Sequence, residues 1–185
     1  MPINPLNLWK SSLADLTPVD DTSWAANFAT WYADNIASIS PDPASLVAPG
    51  FTFTFQQSIF QAQLLTLMPT PDALLGITGF ANAWEAAILS SIVVVAPGAF
   101  IPPTAPTTLF SVVISTIIDP ASIVVAKTKI LDLATAEPVA NVNDSKFPEI
   151  FREATLQLKI NVIGLDSTPP PASPLPLTAM NVPLV

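Results

Sequence analysis

Cysteine and histidine are absent from the 185 residues, glycine occurs five times, and charged side chains make up only 11% of the chain. Without cysteine there are no disulfides and no thiolate chemistry. Without histidine there is no imidazole general base, so Ser/His/Asp and Cys/His triads and the usual zinc ligand sets are excluded. Five glycines leave no phosphate-cradling loop: the closest spacing, Gly76-Ile77-Thr78-Gly79, is not followed by the required Lys-Ser/Thr pair. An average soluble domain is roughly 25% charged. A free monomer needs charged surface to stay dispersed, so the shortage implies a subunit whose surface meets other protein.

The few charges are unevenly placed. Net charge is −8, and residues 1–126 hold one cation, Lys10, against eight acids, while Lys127, Lys129, Lys146, Arg152 and Lys159 follow among six acids. An acidic chain without a basic stripe neutralises few phosphates, which argues against direct nucleic-acid binding and against attraction to anionic lipid.

What is present is apolar. Half the residues are hydrophobic and mean hydropathy is +0.54. The length fits one domain with a sizeable core. The stretch from Thr70 to Ile118 dominates: after Asp72 it carries a single charge, Glu85, until Asp119. Such a run is buried in this domain, in neighbouring subunits or in lipid.

Taken in order, residues 1–20 read as an arm. Pro2, Pro5 and Pro18 interrupt helix, and Leu6, Leu8, Trp9, Leu13 and Leu16 are apolar anchors that dock on their own core or on a neighbour. Asp20-Asp21-Thr22 starts an amphipathic helix over 22–38, with Trp24, Phe28, Trp31, Tyr32, Ile36 and Ile39 as its core stripe. Phe51, Phe53 and Phe55 alternate with threonine, which predicts a short strand, and 56–68 returns to helix. Thr70-Pro71 forms a helix entrance, and the following helix runs toward Val95, with a weak point at Gly76–Gly79 and a β-branched end that favours extended chain. The uncharged, proline-rich connector 96–108 suggests packing against a partner, and a second apolar run ends at Asp119-Pro120. Residues 121–133 have no decisive period, and 136–145 read as a polar loop. A short helix opens at Pro148, alternation over 155–163 predicts a half-exposed strand, and 167–176 are polyproline-like. The N-terminus has no basic segment followed by an apolar one, so export by a signal peptide is not expected.

The remaining chemistry is carboxylate chemistry, and it is thin. Glu149 and Glu153 lie four apart beside Lys146 and Arg152, the pattern of a solvated, ion-paired face. Glu85 stands alone in the apolar stretch, as a buried acid, an outward-facing acid or the partner of a neighbouring subunit's lysine. Neither Lys127 nor Lys129 has a serine set in a nucleophile turn. Asn141 to Ser145 faintly resembles a calcium loop, but lacks its glycine and has Arg152 at the twelfth position. No residue is therefore assigned a catalytic, cofactor-binding or metal-binding role, and no cofactor is expected.

The fold expectation is α+β and predominantly helical. It has a compact helical core, a small β component near 51–55 and 155–163, and extended, proline-rich N- and C-terminal arms. The expected division is an arm at 1–20, one globular domain at 21–166 and a second arm at 167–185. The functional expectation is a non-enzymatic structural subunit of a large symmetric assembly. By analogy of style this is a virion component of tailed-phage type, such as a capsid, neck or tail protein, assembled in the host cytoplasm. Its partners are copies of itself and other subunits of the particle, engaged through the arms by strand addition or groove docking. The alternative is a membrane-associated subunit inserting 86–118, although each apolar run is about half of the ~20 residues a spanning helix needs.

Overall fold

The computed structural model describes residues 3–16, 20–67, 73–102, 108–135, 146–167 and 174–185. Among them six helices and two small antiparallel sheets make a mixed α+β fold in which helix outweighs strand. The helices are α1 (Leu6–Ala14), α2 (Asp21–Ile36), α3 (Gln57–Leu67), α4 (Ala73–Leu89), α5 (Pro120–Leu131) and α6 (Phe147–Thr155). The strands are β1 (Thr52–Thr54), β2 (Ile92–Val94), β3 (Val112–Ile118), β4 (Lys159–Asp166) and β5 (Leu175–Pro183). β1 pairs with β2, and the second sheet runs β3-β4-β5.

α2 is the axis of the helical layer, and its start is built locally. The Asp20 carboxylate accepts from the Ser23 amide (2.7 Å) while the Ser23 hydroxyl accepts from the Asp20 amide (3.1 Å), a reciprocal cap. The bond from the Ser23 amide, helped by the Ser23 hydroxyl and the Thr22 amide, holds the Asp20 carboxyl below its ordinary pKa. The aromatic stripe of α2 faces inward: Phe28 meets the rings of Trp24, Trp31, Phe60, Phe80, Phe147 and Phe151 at centroid separations between 4.9 and 5.9 Å. Edge-on contacts dominate this cluster, as the ring quadrupoles favour. It gathers α2, α3, α4 and α6 around one centre.

The polar tips of that core are satisfied in a chain. The Trp84 indole donates to the Tyr32 hydroxyl (2.7 Å), and the Thr155 hydroxyl donates to the Phe151 carbonyl (2.8 Å). The Tyr32 hydroxyl therefore gives its proton to Thr155 Oγ1 across 2.8 Å. Burial raises the Tyr32 pKa above its ordinary value of 10.0, against the opposing pull of these bonds.

The terminal segments depart from extended arms. Between Pro5 and Pro18 there is room for α1, whose Trp9 is fully buried, donates its indole N–H to the Asn4 carbonyl (3.1 Å) and stacks edge-on against Trp31 at 5.3 Å. At the other end, Leu175–Pro183 is a strand on β4 and not a free tail, because Leu177, Ala179, Val182 and Leu184 alternate toward the core. Ser40 and Val185 exchange backbone hydrogen bonds of 3.1 and 2.8 Å, which holds the end of the strand against the loop after α2. Within the chain, Leu175–Pro183 thus adds a third strand to the sheet.

Two internal expectations shift as well. Thr155 to Leu158 belong to the end of α6 and its turn, so β4 starts at Lys159, and it is a largely buried central strand because both its edges are paired. The second apolar run is β3, and the ambiguous segment after it is α5, whose N-cap Asp119 accepts from the amides of Ala121 (3.4 Å) and Ser122 (3.1 Å). The entrance at Thr70-Pro71, the polar loop, residues 103–107 of the first proline-rich connector and 168–173 of the second lie outside the described residues.

Two outcomes follow from this core. Truncation after Asp166 strips Ala179, Val182 and Leu184 from the interior, and the shortened chain should lose its cooperative thermal transition, measured by calorimetry or circular dichroism. Tyr32→Phe leaves the buried Trp84 N–H unpaired and should cost about 1–3 kcal/mol in urea unfolding at pH 8. The folded state holds the neutral phenol, so that contribution is present below about pH 10 and lost as pH rises beyond it. The gap between wild type and variant should accordingly shrink by pH 11, and a gap that widens would contradict the assignment.

Candidate interaction surface

The sequence candidates for chemistry do not converge. Glu85 on α4 receives a 2.6 Å hydrogen bond from Lys127 on α5, with the two side chains 27% and 25% exposed. The lone acid of the apolar stretch therefore fastens two helices of its own chain together. Lys129 lies 3.9 Å from Asp132, one turn further along. On α6, Arg152 turns its Nε to the Asn4 carbonyl (3.1 Å) and ties α6 to the residues before α1, while Glu153 and Lys146 are exposed. Gly76 to Gly79 lie inside α4, in helical and not loop conformation. Asn141 to Ser145 lie outside the described residues. Among the described residues no group of three or more acidic side chains is placed to hold a metal ion.

Strand alternation explains where the charge-poor stretch goes. In β2, Val93 is buried while Ile92 and Val94 are exposed; in β3, Ile118 is buried while Val112, Ile114 and Ile117 are exposed. One side of each strand enters the core and the other is left bare. On the outer face of the large sheet, Val112 lies opposite Leu165, Ser115 opposite Ile163, and Ile163 opposite Thr178. The bare aliphatics there are substantial: Val112 is 50% exposed, Ile114 62%, Ile117 50% and Ile163 42%. No charged residue falls between Ser111 and Ile118, or between Lys159 and Asp166. The exposed Leu89 adjoins Ile117, and a cluster of bare aliphatic side chains of this kind marks an interaction surface.

Leu89 and Ile117 meet across a cleft of about 150 Å³ between the end of α4, β2 and the edge of β3. Its walls also include Ile88, Ser91, Val93, Thr116 and Ile118, with Ile123 of α5 among them, and no charged residue. Ser91 is spoken for: its hydroxyl donates to the Ala87 carbonyl (2.8 Å) and accepts from the Gln56 amide (3.3 Å). Thr116 is different. Its hydroxyl oxygen is buried and has no hydrogen-bond partner. A second depression of about 200 Å³, near Asp119, Lys159 and Asn181, has its acid already occupied as the cap of α5.

The apolar content of this surface was visible in the sequence as two β-branched runs. The cleft was not, because it arises where two sheets adjoin without pairing. The chain matches no protein-family model, no curated protein and no solved structure. No described helix is long and apolar enough to cross a membrane. The described residues between 86 and 118 contribute to α4, β2 and β3, and Val93, Val95, Ala99, Phe110 and Ile118 lie in the core.

The Glu85–Lys127 pair has a direct check. Glu85→Ala leaves the Lys127 ammonium partly buried beside an apolar helix and should lower stability by about 0.5–1 kcal/mol at low salt, less at 1 M salt, in urea titrations.

Proposed function

We propose that this chain is a non-enzymatic structural subunit of a large symmetric assembly, of the kind found in tailed-phage capsids, necks or tails. The observation that carries the reading is the uncharged outer face of β3 and β4, with Val112, Ile114, Ile117 and Ile163 bare. Two such faces meeting remove these aliphatic side chains from water, the main favourable term in protein association. The scarcity of charge over the whole chain supports the same reading, since surface that stays in water is normally charged. So does the structural use of several charged groups: Asp20 and Asp119 cap helices, and Glu85 pairs with Lys127 between two helices. Contacts are made by the sheet face of the folded domain. The terminal segments contribute to assembly by building that domain.

Sedimentation equilibrium in detergent-free buffer tests this. The expected result is a discrete multiple of 19.5 kDa, reduced to the monomer mass by Ile114→Lys with Ile163→Lys, two exposed changes that leave the core intact. A wild-type chain that stays monomeric at high micromolar concentration would sink the self-assembling subunit. Aggregation relieved only by detergent would replace it with a membrane-associated one.

A further inference from the structure

We propose that β5 is an exchangeable strand: within an assembly, residues 175–185 of one copy dock on β4 of a neighbouring copy in place of that copy's own. The proposal adds a second contact to the subunit reading above and makes no use of the bare sheet face.

The attachments of β5 let it come away as one piece. It is an edge strand of the large sheet and joins the fold chiefly along β4. A second attachment lies at its end, where Asp42 donates to the Pro183 carbonyl (2.8 Å) and Ser40 to the Val185 carbonyl (3.1 Å). Without β5, β4 has an open edge and the core loses Ala179, Val182 and Leu184, so the vacated groove must be refilled. The strand seated there shows which sequence fits. The pairing shifts between Ile160 and Val162, and close by Asn181 takes a φ of 54°, which asparagine tolerates better than most residues. Its amide donates to Asn161 Oδ1 across 2.7 Å. The same segment of a second copy carries every one of these features.

The connection favours a neighbour as the source. Asp166 lies opposite Leu175, so a chain that keeps its own strand must reverse within residues 167–174. The sequence there holds Pro169, Pro170, Pro171 and Pro174 and no glycine. Consecutive prolines favour extended chain, at ~3 Å per residue, so reversal works against them and reaching outward does not. Exchange relieves that cost while every contact of β5 is remade on the partner, and in a two-fold pair each copy gives one strand and receives one. Pro176 and Pro183 lack the N–H that a further strand would need, which discourages addition of a third chain at the outer edge. Detaching β5 opens the core, so a chain folded in dilute solution stays closed, and the crowding of copies in an assembly promotes exchange.

The test uses the full chain carrying Ile114→Lys and Ile163→Lys, which block the sheet face. One batch also carries Val162→Cys and another Ala179→Cys, buried positions opposite each other on β4 and β5, in a sequence with no other cysteine. The two batches are mixed in urea, refolded together at high micromolar concentration and oxidised. The expected product is a disulfide between chains, seen as a dimer on a non-reducing gel, because cysteines buried in separate cores meet only by exchange. Glycine in place of Pro169, Pro170 and Pro171 should lower the dimer fraction about fivefold. A second readout needs no cysteine: the lysine-bearing chain refolded at the same concentration should sediment as a dimer that persists for hours after dilution. The proposal is overturned if no interchain disulfide forms while a chain carrying both cysteines closes its own. A dimer fraction indifferent to the glycines, or a dimer that dissociates at once on dilution, overturns it too. A wild-type chain that assembles while none of these dimers forms loses the exchange alone. Dimers formed here by a chain whose undenatured wild type stays monomeric keep the exchange and lose the sheet face.

Discussion

Pairing on both edges of β4 is the constraint on which the large sheet depends. β4 runs between β3 and β5, and its inward side chains Ile160 and Val162 are completely buried. Strands on both sides fix its register, which decides which aliphatic residues of β3 and β5 go inward and which are left in solvent. Gly164 shows how close the pairing is: a Cβ there would lie 2.2 Å from the Val112 carbonyl oxygen and 2.8 Å from the Phe110 ring. Only glycine lets β3 approach β4 beside the bulge between Val113 and Ser115. The bare outer face is therefore a by-product of a register set by the core.

Helices and sheets are joined by one continuous buried cluster that takes in Trp9, Phe28, Phe60, Trp84, Ile123, Phe151, Ile160 and Val182. Polar atoms that enter it are paired with care. Tyr32, Trp84 and Thr155 form a closed relay, Asn35 bonds to Ser12 and to the Trp31 carbonyl, and Asn161 accepts from the Asn181 amide. Against that background the solitary Thr116 hydroxyl stands out, since natural cores seldom leave such a group unmet.

The legibility of the fold followed the range of the forces involved. α2 could be read from Asp20, its cap, and from aromatic residues three and four apart, because both signals are local. The strand at Phe53 and the extended ending after Leu89 were equally local, set by alternation and β-branching. β3 and β5 were harder. A run such as Val112 to Ile118 suits any buried element, and prolines at 174, 176 and 183 disguise a strand that an edge position tolerates. Nothing near Trp9 in the sequence reveals that its partners are Trp31 and Tyr32. The candidate surface was legible as composition, a shortage of charge, but its location required knowing which face of each strand the core would take. The sequence left Glu85 open between a buried acid, an outward-facing one and the partner of a neighbour's lysine, and only the packing of α4 against α5 assigns it Lys127 of its own chain.

The order of the strands along the chain has a consequence for synthesis. Among the described residues β3 pairs with β4 alone, and β4 is made after α5 and α6. While the ribosome completes those helices, Val112 to Ile118 waits as an uncharged, β-branched segment with no proline and both edges open. Such segments are the ones that recruit one another between nascent chains. The interval between making β3 and making β4 is thus the period in which the protein is most exposed to aggregation, and faster delivery of β4 shortens it.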